Sequence, residues 1–327
     1  MKKNLFVIFT VLLFTVAISS CGNSAPNGKG FETTKIRAFG GITVSNAIQQ
    51  IIQMDELLEK NIPDDVSIEW SYGGPSSADT RDALIAGKLD LATISLASFI
   101  SAVENGLPLV LLSGTMPNPL ELYTTRDEIN SFKDINEHHK IGMPGKGSNF
   151  ELAFSLRSKE VFGDASRFSD NIVALTDADM VALIQGADSY DLYTLGFPAM
   201  QKVAALDHAK LVEDLTEITV KYNICLVFVT TKDFYDNNPL IIDGFYKAAE
   251  EAVRFMNDNP KETAQKLSDF YEAVTPEEVL TVLERCPPNS SITNYDEIAD
   301  IMYEMEILSK PAMKFSELPN YNSIPKG

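Results

Sequence analysis

The chain is poor in the residues that most often carry chemistry: it has three His, three Cys and one Trp among 327 residues. His138 and His139 are adjacent, so on a helix or a strand they point in different directions and make a poor chelate. His208 lies in a loop-like Asp-His-Ala-Lys stretch, and all three read as surface residues. No H-E-x-x-H, C-x-x-C, G-x-S-x-G or G-x-x-x-x-G-K-[ST] pattern occurs, so the common routes to metal-assisted hydrolysis, thiol redox chemistry and phosphoryl transfer lack their motifs. Neither a catalytic residue, a metal site nor a cofactor is predicted. Basic charge is also short, with 27 Lys and Arg against 46 Asp and Glu and a net charge of −19. Loss of Lys2 and Lys3 with a leader takes −19 to −21. Such a surface argues against nucleic acid, whose phosphates need clustered Lys and Arg. Long-range repulsion of an anionic ligand is screened over about 8 Å at physiological salt, which leaves that choice to local chemistry.

What is present begins with an export signal. Lys2 and Lys3 precede an apolar run over residues 5–18 and the small residues Ser19 and Ser20, the build of a secretory leader over residues 1–20. The run is short for a membrane span, which needs about 20 apolar residues. Ile18-Ser19-Ser20-Cys21-Gly22 resembles the bacterial lipobox, which implies a lipid on Cys21 as the first mature residue. The alternatives are an ordinary signal peptide with a stray Cys near the cut, or an uncleaved anchor. Residues 21–32, rich in Asn, Ser, Pro and Gly, suit a tether. With Cys21 acylated, Cys225 and Cys286 could pair, but a thiol in an apolar strand also serves as a small hydrophobe, and the sequence favours two thiols.

The mature length exceeds what one core usually organises, so two domains are expected. Strands over residues 36–41 and 66–72 alternate with a helix over residues 45–59, whose Ala47, Ile48, Ile51, Ile52 and Leu58 recur at helical spacing. Ser76 with Asp79 forms a capping box that opens the next helix, and Gly87 closes it. The apolar run over residues 89–94 is too short for a helix and reads as a buried strand. Met116-Pro117-Asn118-Pro119 marks a crossover. Strands are then expected over residues 120–124, 140–143, 191–195, 211–216 and 224–230. Ser148 with Glu151 and Thr176 with Asp179 read as further capping boxes. Asn238, Asn259 and Thr275 each precede a Pro suited to a first helical turn, so the last hundred residues read as helices. The predicted organisation is residues 33–116 as a first lobe, 117–230 as a second, and 231–327 as helices returning to the first.

In an open α/β sheet the ligand crevice lies beyond the carboxyl ends of the strands. Five strand-to-helix turns are expected to face one cleft, and they supply the candidate ligand-binding residues Gly41, Thr43, Tyr72, Gly74, Ser76, Ser95, Ser98, Gly147, Ser148, Asn149, Gly196 and Phe197. Each turn is expected to offer unpaired backbone N–H groups and hydroxyls that suit an oxyanion or a carbonyl. The bland alternative is that Gly41, Gly73 and Gly74 only turn the chain, and that Gly145-Lys146-Gly147-Ser148 only lets the backbone enter a helix. Tyr72 is the better pocket candidate and Trp70 a core residue, while Arg81 and Arg126 read as solvated faces.

Residues 83–109 carry the pattern A-L-x-x-G-x-L-D-L-A-x-x-S-x-x-x-x-I-x-A-x-x-x-G-L-P-L. This run resembles the binding proteins of ATP-driven (ABC) importers of the nitrate, sulfonate and taurine type, a group that also includes binders of thiamine-pyrimidine precursors. The helical stretch from Asn238 resembles the C-terminal helices of the same family. The resemblance implies a two-lobed α/β fold of the type II periplasmic-binding-protein kind, each lobe a mixed sheet flanked by helices, with the ligand cleft between them. It further implies an extracytoplasmic lipoprotein on the cell membrane that hands a small molecule to a permease and an ATPase. Where many members carry Trp-Glu-Pro after a late strand of the second lobe, this chain has Gly196-Phe197-Pro198, which removes an indole and a carboxylate and leaves Phe197. Two alternatives stay open: a thiamine-pyrimidine synthase-like enzyme, whose Cys-rich motif and active-site His have no match here, and a ligand-sensing lipoprotein. The ligand is not readable from the sequence.

Overall fold

The computed structural model describes residues 30–72, 76–145, 147–186, 190–271 and 274–326. The leader, Cys21, most of the tether and Gly74 lie outside the described residues. In chain order the first elements are β1 (Lys35–Gly40), α1 (Ala47–Met54), α2 (Leu57–Asn61), β2 (Ser67–Tyr72), α3 (Ser77–Ile85), β3 (Ala92–Ser95), α4 (Leu96–Glu104) and β4 (Leu109–Pro117). There follow β5 (Leu120–Thr124), β6 (Ile141–Met143), α5 (Asn149–Phe162), β7 (Ile172–Ala174), α6 (Asp177–Gly186), β8 (Leu192–Gly196), α7 (Ala199–Ala204) and β9 (Lys210–Asp214). The chain ends with α8 (Thr216–Lys221), β10 (Cys225–Thr231), α9 (Lys232–Asn237), α10 (Pro239–Asp258), α11 (Pro260–Phe270), α12 (Pro276–Arg285) and α13 (Tyr295–Glu304).

The strands sort into two lobes. Strands β5 to β9 form one mixed sheet in the order β7-β6-β8-β5-β9, in which β6 is parallel to β7 and β8 while β5 is antiparallel to its neighbours. The remaining strands form a parallel β1-β2 pair and an antiparallel β3-β10-β4 sheet, linked by a bridge between Ala38 and Leu91. Two adjacent strands carry the chain between the lobes: β4 leaves at Pro117, and β10 returns at Cys225 directly opposite it. Asn118 N–H donates to Ile224 O at 3.0 Å, which ties the two crossings together.

Several local expectations are corrected. The helix over residues 45–59 is broken where Glu56 takes a left-handed φ of 51°, and Asp55 at the break pairs with Lys266 of α11 at 2.5 Å. Strand β3 starts later than the apolar run because Arg37 holds Asp90: the Arg37 backbone N–H and Nε both donate to Asp90 Oδ2, at 2.7 and 2.8 Å. Among the three Pro-led helices only Thr275 caps as expected, accepting from Glu278 N–H. Asn238 instead donates to Phe234 O and accepts from Glu32 and Thr33, pinning the start of the described chain.

Hydrophobic packing does not divide at the lobe boundary. One core joins α1, α10 and α11 of the first lobe to Tyr193, Leu195 and Phe197 at the end of β8. The other joins α4 and β3 to α5 and reaches α13. Cys225 and Cys286 are buried free thiols, and burial pushes each up to about 12, so both stay protonated as small hydrophobes.

Candidate functional site

Three helices start beside one another where the lobes meet. Helix α3 is opened by Ser76, whose Oγ accepts from Asp79 N–H while Asp79 accepts from Ser76 N–H, completing the expected capping box. Helix α4 is opened by Ser95, whose Oγ accepts from Ser98 N–H at 3.0 Å. Helix α5, from the other lobe, is opened by Ser148, whose Oγ accepts from Glu151 N–H at 3.2 Å. Only half of the second expected box forms: the Glu151 carboxylate accepts from Gly147 N–H at 2.5 Å instead of from Ser148.

These starts surround a cavity of about 230 Å³ whose wall includes Ser76, Ser95, Ser98, Gly147, Ser148 and Asn149, so half of the twelve candidate residues are brought together there. Its floor is the crossing between lobes. Leu226 reaches it because it stands opposite Ser95 in the β10–β3 register. Asn149 is 2% exposed and donates from Nδ2 to Asn118 Oδ1 at 3.0 Å and to Cys225 O at 2.7 Å, so the first residue of α5 is anchored on both crossing segments. Asn118 in turn donates to Ser45 Oγ at 2.8 Å. Across the cleft, Ser95 and Ser98 lie 2.8 Å apart through their hydroxyls and within 3.2 and 3.3 Å of Gly147 O. Each hydroxyl has one proton, so one serine donates to the other and the second donates to the carbonyl. This clasp joins the lobes directly.

The remaining candidates among the described residues lie elsewhere. The turn at Gly41 and Thr43 is occupied internally: Gly41 N–H donates to Gln49 Oε1 at 2.9 Å, and Gln50 Nε2 donates to Gly41 O and Thr43 O. A side chain at position 41 would put its Cβ 2.0 Å from Asn46 Nδ2, so glycine is required there for close approach. Tyr72 is 43% exposed and faces Phe270 with ring centroids 6.1 Å apart. Gly196 stands behind the cavity, where a Cβ would lie 3.2 Å from the Phe150 ring. Phe197 is 1% exposed and packs edge-on against Tyr271 of the α11–α12 loop at 6.0 Å, as part of the core. Tyr271, its hydroxyl pushed up by burial, donates to Gln50 Oε1 and so links Phe197 to α1. Trp70 is half-buried against the core.

The expectation of freely unpaired N–H groups needs refinement. Each serine cap takes up the N–H of the third helical residue, and Glu151 takes that of Gly147. The N–H groups of the first two residues have no partner within an α-helix. In α3 and α5 those residues are Ser77, Ala78, Asn149 and Phe150, all in the cavity wall. Sequence reasoning missed Ser77, Asn118, Phe150 and Leu226. Asn118 had a signal, as a polar residue between two prolines at the lobe crossing, and Leu226 had none. Among the described residues no group of three His, Cys, Asp or Glu is placed to hold a metal, and no helix is long and apolar enough to cross a membrane.

The alkanesulfonate-binding protein SsuA from Xanthomonas axonopodis pv. citri, solved with MOPS, superposes with a TM-score of 0.73 at 16% identity, over 90% of this chain and 99% of its own. A Candida albicans gene product described as having the generic periplasmic binding protein fold gives 0.69 at 18% identity, over 90% and 97%. The periplasmic nitrate-binding protein NrtA from Synechocystis PCC 6803 gives 0.60 at 17% identity, over 76% and 69%. No curated protein matches the sequence. Residues 65–263, more than half of the chain, match the sequence model described as NMT1/THI5 like, and the chain therefore belongs to the NMT1/THI5-like family on a two-lobed periplasmic-binding-protein fold.

Proposed function

We propose that the protein is an extracytoplasmic solute-binding lipoprotein: it captures a small molecule between its lobes and delivers it to the permease and ATPase of an ABC importer. The observation that carries this reading is the cavity of about 230 Å³ lined by helix starts from both lobes over the two crossing strands. A guest there touches both lobes at once, so its binding energy favours the closed arrangement. Micromolar affinity requires about 8 kcal/mol, within reach of several hydrogen bonds and the apolar contact offered by Phe150 and Leu226. Such capture needs no catalytic group, and the similar solved proteins named for binding sulfonate and nitrate support the transport role. Cys21 carries the lipid in this reading, and residues 22–32 act as the tether between membrane and lobes.

A thermal-shift screen over sulfonates, nitrate, amides, pyrimidines and amino acids tests it. A true ligand at about 100 times Kd adds roughly 2.7 kcal/mol of stability, and Ser98→Trp, which fills the cavity, removes that gain. A ligand that binds equally well to Ser98→Trp contradicts the assigned site. Cys21→Ala should release the protein from the membrane fraction, and unchanged fractionation contradicts the lipid anchor.

A further inference from the structure

The first crossing between the lobes is restrained in its backbone and tied through its one polar side chain. Pro117 and Pro119 hold φ at about −65° and lack an N–H, and a residue that precedes a proline is kept out of the helical region, which restrains Met116 and Asn118 as well. Asn118, 5% exposed, sits between the prolines in the cavity wall. Its backbone N–H donates to Ile224 O at 3.0 Å on the second crossing, and its carbonyl accepts from Thr219 Oγ1 of α8 at 2.5 Å.

The side chain of Asn118 reaches both lobes at once. Its Nδ2 donates to Ser45 Oγ at 2.8 Å, in the turn that opens α1, and its Oδ1 accepts from Asn149 Nδ2 at 3.0 Å, at the first residue of α5. Asn149 Nδ2 also donates to Cys225 O, so that nitrogen is assigned and the oxygen of Asn118 must face it. Turning Asn118 over would set two NH2 groups against each other, which fixes its orientation. Each partner is rooted in its own lobe: Asn46, beside Ser45, accepts from Thr93 Oγ1 of β3 at 2.6 Å, and Asn149 belongs to α5. Leaving either end of a buried amide unpaired carries a desolvation penalty. The lobes are therefore held at the one separation that satisfies both ends, and the clasp at Gly147 O, at 3.2 and 3.3 Å, is the longer contact.

We infer that Asn118 is a positioning residue: its single amide fixes the angle between the lobes and so brings the start of α5 into line with the starts of α3 and α4 before any guest arrives. The angle itself needs no ligand, and only its use in capture rests on the solute-binding reading.

Double electron–electron resonance on the ligand-free chain tests this, with spin labels at Lys88→Cys of the first lobe and Asp170→Cys of the second, both exposed positions, in the Cys21→Ala background. Cys225 and Cys286 are buried and stay unlabelled. With Asn118 intact a single narrow distance is expected. Asn118→Leu should lengthen and broaden it, and Ser45→Ala, which removes only the first-lobe partner, should do so to a smaller extent. Asn118→Asp keeps an acceptor for Asn149 and takes a hydrogen bond from the Ser45 hydroxyl instead of giving one. It should therefore retain the narrow distance while lowering the urea midpoint, because it buries a charge. A merely structural role would make the distance follow stability across the three variants. An unchanged distribution in Asn118→Leu or in Ser45→Ala overturns the inference, as does a distribution in Asn118→Asp as broad as that of Asn118→Leu. Should Asn118→Leu fail to fold, Ser45→Ala and Asn118→Asp still decide, and the ligand screen judges capture separately.

Discussion

The lobes meet at two places built in opposite ways. Around Ser95, Ser98 and Gly147 the contact is polar, a few hydroxyl–carbonyl bonds beside an open volume. Around Phe197, Tyr271 and Gln50 it is filled, with a fully buried ring packed edge-on against a buried tyrosine inside the shared core. Sparse hydrogen bonds around a cavity can be exchanged for bonds to a guest at little net cost, since each is worth about 0.5–1.5 kcal/mol. A packed aromatic core has no such exchange partner in water. In the proposed closure, the polar contact is the one that opens and the apolar one stays packed.

Substitutions separate the two. The largest expected effect is on the filled side: Phe197→Ala should cost about 3–5 kcal/mol in urea denaturation, and a cost under about 1 kcal/mol would mean that this contact is not part of the core. Next comes the pH response of Asp177, in α6 of the same core region. Its Oδ1 is buried without a partner, and burial raises its pKa to about 6. The folded chain therefore holds this proton more tightly than the unfolded chain, so stability is greatest below the ordinary carboxylate range and falls as pH rises toward 6. Asp177→Asn should remove that decline and be more stable than the parent at neutral pH, and parallel pH profiles would contradict it. On the open side, Ser95→Ala loses a cap and one end of the clasp and should cost about 1 kcal/mol. Ser98→Ala should cost no more than that, and should speed ligand entry in stopped-flow mixing if the clasp must open first. The smallest effect belongs to Arg285, half-exposed, which reaches Asp214 and Glu121 of the second lobe from α12. Arg285→Met should cost less than about 1 kcal/mol, and less still in high salt.

The same contrast explains what was legible in the sequence. Capping signals are local, so Ser76–Asp79, Ser148 and Thr275 could be read directly, and with them two of the helix starts around the cavity. Apolar runs likewise located most of the strands, but not the three-residue, half-exposed β7. Partners distant in sequence were not readable. Gln49 and Gln50 occupy the Gly41 turn from the next helix, Tyr271 covers Phe197 from more than seventy residues away, and Leu226 enters the cavity through register alone. Glu151 looked like a simple box residue until the turn brought Gly147 N–H nearer than that of Ser148. In each case the deciding contact was set by packing between elements, which a linear pattern does not record.

X-ray scattering on the chain with and without a saturating ligand tests the central claim most directly. If the lobes shut on a guest held between α3, α4 and α5, the radius of gyration falls on binding, and Ser98→Trp abolishes the change. An unchanged radius at demonstrated saturation would contradict capture by closure.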